Sequence, residues 1–422
     1  MANNPPPYSD ITGISRAAMK DNAQESLANY NGNARPGELV VNLATDPPVL
    51  YVGNNLGQLT QVAAGGGGTT WATLGDKNNA SGPASIALGT SAGTSQGDYA
   101  VAMGSTAGTS QGDFAVAVGY SAGKTSQGPY AVAMGSTAGF SNQSLYAVAV
   151  GQGAGQASQG ANSVAVGQGA GQNTQGAAAV AVGMQAGLTT QGDSAVAIGL
   201  NAGYTGQGLY AVAIGDNAGA NAQGLYCVAV GETAGNTSQG YTAVAVGTSA
   251  GYTSQGSEAV AIGPLAGYGG QGANAVAVGA YAGQINQGLQ AVAIGLEAGN
   301  TTQGYTAVAV GSGAGQTTQG GSAVAVGGSA GQNSQGVYSV AIGYAAAQIN
   351  QGASAVAIGF YAGQTSQANN SIVLNATGSA LNQTTANTFT VKPVRAVSGL
   401  PPAGFSPMYY NPTTGEIIVV TP

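Results

Sequence analysis

Few residues in this chain could do chemistry. Seven basic and fourteen acidic residues stand in 422, with no histidine and a single cysteine, Cys227. Without histidine, Ser–His and Cys–His nucleophile pairs are excluded. One cysteine allows neither a disulfide within the chain nor a Cys/His metal site. Cleaving a glycan needs two carboxylates on opposite sides of a bond. Asp98 and Asp113 lie one repeat apart, in loops bounded by glycine, and read as solvated groups. Gly-x-x-Gly spellings recur but none opens a helix, so no phosphate loop is supported. The Gly-Gly-x-Gly-x-Asp calcium repeat is absent. Pro5-Pro6-Pro7-Tyr8 spells a docking motif, but in four residues only. The chain reads as non-enzymatic, with no cofactor and no metal.

Two side-chain types repeat with a spacing that matters. Glutamine falls at Gln96, Gln111 and Gln127, then at every sixteenth residue to Gln367, so that Gln127, Gln159, Gln239 and Gln255 occupy equivalent places. This predicts a ladder of amides bonded to one another and to turn backbone, in preference to an amide array that binds a repetitive sugar. Tyrosine is the second type. Tyr99, Tyr130, Tyr146, Tyr210 and Tyr226 precede a short apolar motif, and Tyr120, Tyr204, Tyr252, Tyr268, Tyr281 and Tyr361 follow it in the bends. Such rings either pack on neighbouring coils and chains or stack on sugar rings.

The element that positions them is the repeat. Ala-Val-Ala-Val-Gly, with Val, Ile, Met or Leu in fourth place, ends at Gly89, Gly104, Gly119 and Gly135, then at every sixteenth residue to Gly359. The copy from Ala243 runs through Gly247, Ala250-Gly251 and Gln255-Gly256 to Glu258. Its two-residue alternation is that of a strand. Val244 and Val246 share one face, taken as the core, and Ala243 and Ala245 the other. Gly247, Gly251 and Gly256 are expected to supply positive φ at three bends. Sixteen residues with three bends form one coil of a parallel β-solenoid in which identical residues stack in ladders. Eighteen coils at about 4.8 Å give a shaft of roughly 85 Å. A coil with about two large apolar side chains gains roughly 1.5–3 kcal/mol for each, against roughly 1–2 kcal/mol per residue of backbone entropy. So thin a coil argues for a core shared between chains.

Composition agrees with an extended repeat protein. Glycine numbers 74 and charged residues are 5 %, against roughly 25 % in an ordinary domain. The net charge is −7, and Lys124 is the sole basic residue between Ser85 and Asn375, so no basic stripe exists for nucleic acid. The N-terminus lacks the pattern of a secretion signal, and no apolar run is long enough for a membrane helix. Residues 1–65 form a β-rich attachment module, with a short helix expected between Ile11 and Asn29. Strands are expected at Glu38–Leu43, Val49–Gly53 and Gln58–Val62. Residues 66–84 are a glycine-rich linker whose Trp71 caps the first coil. Residues 85–375 are the shaft, and 376–422 a β-rich tip with strands near Thr388–Val391, Met408–Tyr410 and Glu416–Val420.

Ser85-Ile86-Ala87-Leu88-Gly89, Ser163-Val164-Ala165-Val166-Gly167 and Ser339-Val340-Ala341-Ile342-Gly343 resemble the head repeats of trimeric autotransporter adhesins. That resemblance implies an all-β, left-handed parallel β-roll with three chains about one axis. The period departs from it, since the adhesin repeat is nearer fourteen residues. Pro36-Gly37-Glu38-Leu39-Val40-Val41-Asn42 and Leu50-Tyr51-Val52-Gly53-Asn54 are similar to an N-terminal module of bacteriophage tail fibres. Ser371-Ile372-Val373-Leu374-Asn375, Tyr409-Tyr410-Asn411 and Thr414-Gly415-Glu416-Ile417 are similar to fibre segments. The expected protein is therefore a homotrimeric virion fibre, made in a host cytoplasm and displayed on the virion surface without membrane insertion. Its N-terminal module joins other virion proteins. Its tip, with Lys392, Arg395, Tyr409 and Tyr410, meets a host glycan or protein. A bacterial cell-surface trimeric adhesin and a capsid-attached head fibre are the alternative readings.

Overall fold

The computed structural model describes residues 82–394 in full, together with six short strands outside that range. Four of them, Ala17–Lys20, Leu39–Asn42, Val49–Gly53 and Leu59–Gln61, form one sheet in that order. Ala17–Lys20 pairs parallel to Leu39–Asn42, and the remaining pairs are antiparallel. The strand Ala17–Lys20 lies where the sequence suggested helix: its backbone is committed to a sheet neighbour some twenty residues on, which overrides a weak local preference. Met408–Tyr410 and Ile417–Val419 make an antiparallel pair. The expectation for Trp71 falls outside the described residues.

The repeats build a parallel β-solenoid, and no helix occurs among the described residues. They fall into two compact units, residues 1–178 and 179–422. Each unit stacks the same coil. The motif supplies one three-residue strand, such as Val244–Val246, which pairs in register with Val228–Val230 and Val260–Ile262. A second strand, such as Thr253–Gln255, carries the glutamine and pairs with Thr237–Gln239 and Gly269–Gln271. The sequence had shown only the first of these. The two coils of fifteen residues, one short of the rest, lack the second strand and keep only the bridges Gln96↔Gln111 and Gln111↔Gln127. Stacking also outlasts the motif. Ile372–Asn375 pairs parallel to Val356–Gly359, and Phe389–Lys392 to Ile372–Asn375, so the stack runs past the boundary at 375.

Alanine, not valine, lines the inside. Ala243, Ala245 and Ala250 are fully buried, whereas Val244 and Val246 are half-buried and the isoleucines at the place of Val246 are exposed. The assignment of Val244 and Val246 to the core is therefore reversed. The reason is width: the inner space of a repeat coil is narrow and is filled by methyl groups and one glutamine. Among the described residues a branched side chain enters the inner row first at Val373, past the last motif.

Bends are made by five left-handed residues in the coil 243–258: Gly247 (φ 126°), Ser249 (54°), Gly251 (54°), Ser254 (51°) and Glu258 (60°). Three carry a side chain, at a cost of roughly 1–2 kcal/mol each. For two of them that conformation turns the N–H along the stack: Ser249 N donates to Glu232 O and Glu258 N to Tyr241 O, both at 2.8 Å. Gly256 is not left-handed, contrary to expectation. It is glycine because a Cβ there would sit 2.6 Å from Gly272 C in the next coil. Gly247 combines both demands, with a Cβ 2.8 Å from Gly263 C.

Candidate interaction surfaces

The glutamine row is an internal spine. Gln255 is 2 % exposed. Its Nε2 donates to Val244 O (2.8 Å), to Ala259 O (3.2 Å) and to Gln271 Oε1 (3.1 Å). Its Oε1 accepts from Gln239 Nε2 at 3.1 Å. One amide thus ties the two sides of its own coil together and joins its neighbours above and below. In residues 1–178 the amide-to-amide link runs from Gln96 through Gln111 to Gln127. Gln159 there keeps its bond to Val148 O at 2.7 Å. Buried this way, the row offers no amide to a ligand.

Cys227 replaces an alanine in the inner row between Ala211 and Ala243 and is fully buried. Burial pushes its thiol above the usual range, outweighing nearby backbone hydrogen bonds that lower it. A thiol that is both covered and protonated is a poor nucleophile. Native protein at neutral pH is expected to react with a disulfide-exchange reagent at least about a hundred times more slowly than denatured protein. Equal rates in the two states would contradict this placement.

The exposed aromatic residues form ladders as well. Tyr99, Phe114, Tyr130 and Tyr146 stack face to face at 5.0 Å, with interplanar angles of 9°, 5° and 22°. Tyr210 and Tyr226 repeat the arrangement at 5.1 Å, and Tyr252 and Tyr268 at 5.0 Å. Since each inner ring lies between two others, its faces are used in packing coil upon coil. The end rings Tyr99 and Tyr146 are stacked on one side only. Asp98 and Asp113 are exposed side by side, and Asp113 Oδ1 accepts from Asp98 N at 3.0 Å. That carboxylate pins backbone, and the pair does not face across a cleft.

In each unit the outer face of the motif sheet is a further candidate surface. Two aliphatic rows run up it, represented by Val244 and Val246. Met103, Met134, Ile198, Ile214, Ile262, Ile294, Ile342 and Ile358 are each 37–44 % exposed. The rows have no charged member through the motif strands. At the top of the stack Lys392 is exposed beside Val391. Arg395 and the side chains of Tyr409 and Tyr410 lie outside the described residues.

No family model, curated protein or solved structure matches the chain.

Proposed function

We propose that this chain is the shaft-forming subunit of a homotrimeric virion fibre, joined to its particle by the N-terminal module and touching the host surface through residues beyond the shaft. The observation that carries it is the uncovered aliphatic face. All the large apolar side chains of the repeat lie outside a coil whose interior is methyl groups and amides. A strip two side chains wide, rising about 4.8 Å per rung, amounts to roughly 600 Å² in residues 179–422 alone. Single exposed patches seldom exceed roughly 300–600 Å² on a monomer, and a stable interface takes roughly 800 Å² from each partner. Covering the strip with copies of itself gives each coil the apolar burial that its own interior lacks. The repeat otherwise offers the same surface at every rung, which suits a spacer and not a site for one small molecule.

Light scattering of the purified chain is expected to give about three times 40.4 kDa. A folded monomer at micromolar concentration would refute the assembly. Electron microscopy of the parent particle, with this chain labelled, tests the location: label on projecting fibres supports the reading, and label on a bacterial surface in the absence of particles favours an adhesin.

A further inference from the structure

The aliphatic face is bordered by two rows of different character. On one side stands the residue ahead of each motif: Phe114, Tyr210, Tyr226 and Tyr338 among others. On the other stands the residue after each motif glycine: Tyr120, Asp216, Glu232 and Tyr344 at the same four rungs. Phe114, Tyr120, Tyr210 and Tyr226 are 46–62 % exposed, and Asp216 and Glu232 are exposed too. Within one chain the motif strand stands between these rows, with six residues along the chain from one to the other.

Resting on the trimeric reading, we propose that neighbouring chains meet in register along these borders, the row ahead of the motif in one chain packing on the row after the motif in the next. Rotation about an axis without sliding brings the two borders of the same rung together. Phe114 then meets Tyr120, and Tyr338 meets Tyr344. Tyr210 faces Asp216 and Tyr226 faces Glu232, each a phenol O–H opposite a carboxylate. Asp216 already accepts one bond from Asn217 Nδ2, at 2.6 Å, and keeps its other oxygen for the phenol. The acids of these rows agree. Glu258 lies in the first row, and Asp216 and Glu232 in the second, and no rung carries an acid in both. Sliding two rungs in one direction sets Glu258 against Glu232, a like-charge contact that costs affinity.

The test uses Cys227→Ala, which restores the alanine found in the coils before and after it, as background. Phe114→Cys together with Tyr120→Cys is expected to form disulfide-linked dimers and trimers on mild oxidation, seen by non-reducing electrophoresis. Neither single variant should cross-link by more than a tenth as much. Phe114→Cys with Gln168→Cys, three rungs or about 14 Å away along the stack, should not cross-link either, since a disulfide tolerates only about 7 Å between Cα atoms. A trimer by light scattering that cross-links only through the three-rung pair, or through the Phe114→Cys variant alone, overturns the in-register border. A trimer that gives no cross-link in any variant overturns it as well. A folded monomer instead sinks the underlying assembly.

Discussion

Ala245→Asp is expected to abolish folding of the coils around it, while Val244→Asp leaves the coil folded and breaks the assembly. The two residues are adjacent, and the same charge is introduced in each. Ala245 is fully buried, and its Cβ stands 3.3 Å from the place a Cβ on Gly251 would occupy. A carboxylate there has neither room nor a donor, and a buried uncompensated charge costs several kcal/mol. In a stack whose stability is the sum of coils and their interfaces, a loss of more than about 4 kcal/mol opens the array locally. Circular dichroism should show lost strand signal, and limited proteolysis new cuts close to the substitution. Val244 is half-buried and points away from that interior. Its replacement should retain the spectrum and shift the mass from about three chains to one. The opposite pattern, an unfolded Val244→Asp and a tolerated Ala245→Asp, would mean that the strand faces are inverted.

Gln255→Glu should behave as an acid-stabilised variant. The amide it replaces donates to two backbone carbonyls and to Gln271 Oε1. A carboxylate loses all three donations and turns negative charge toward carbonyl oxygens. Each unpaired buried group costs roughly 1–3 kcal/mol, so about 3–5 kcal/mol is expected at neutral pH. Burial and the facing carbonyls both raise the carboxyl's folded pKa above its unfolded one. The folded state then binds more protons than the unfolded state, and stability falls as pH rises. Below the unfolded pKa both states are protonated, and most of the deficit disappears because the acid O–H can donate to one carbonyl. Denaturant midpoints at pH 4 and pH 8 measure this, with the pH 4 value higher relative to the parent protein. An unchanged difference at the two pH values would place Gln255 outside the buried ladder. Gln255→Leu, which has no proton to gain, serves as the flat control.

Period, strand type and the amide ladder were readable from residues alone, because each depends on spacing. Which face turned inward was not. Alternation says that Val244 and Ala245 oppose each other but carries no sign, and side-chain hydrophobicity alone points valine inward. Coil width decides the matter instead, and the clue lay in variation between copies. The fourth motif place admits Val, Ile, Met and Leu, whereas the third is alanine in every copy. Tolerance of large side chains marks an open side, and restriction to small ones a closed one. The Thr253–Gln255 strand escaped notice because it is three residues long, and Ser254 at its centre is left-handed. The place of Gln255 in an amide ladder was legible from regularity, and its burial and simultaneous service to both sides of the coil were visible only in three dimensions.

The direction of the backbone hydrogen bonds sets how a coil responds to force. Val244 N donates to Ala259 O, Gly251 N to Ala266 O, Thr253 N to Tyr268 O and Gly256 N to Gln271 O, all at 2.8–2.9 Å and all toward the following coil. Gly263 N returns a bond to Val246 O, and Leu265 N one to Thr248 O. These bonds are distributed around the whole perimeter of the coil. Tension along the stack therefore loads them in parallel at each junction, and they must give way together, not one after another as in a hairpin peeled from its end. A bending load stretches the bonds on one flank and compresses those on the other, so stiffness comes from the girth of the coil and not from any single contact. Such a junction resists steady pulling up to a sharp yield point and then fails abruptly. Extension should therefore come in discrete steps of whole coils.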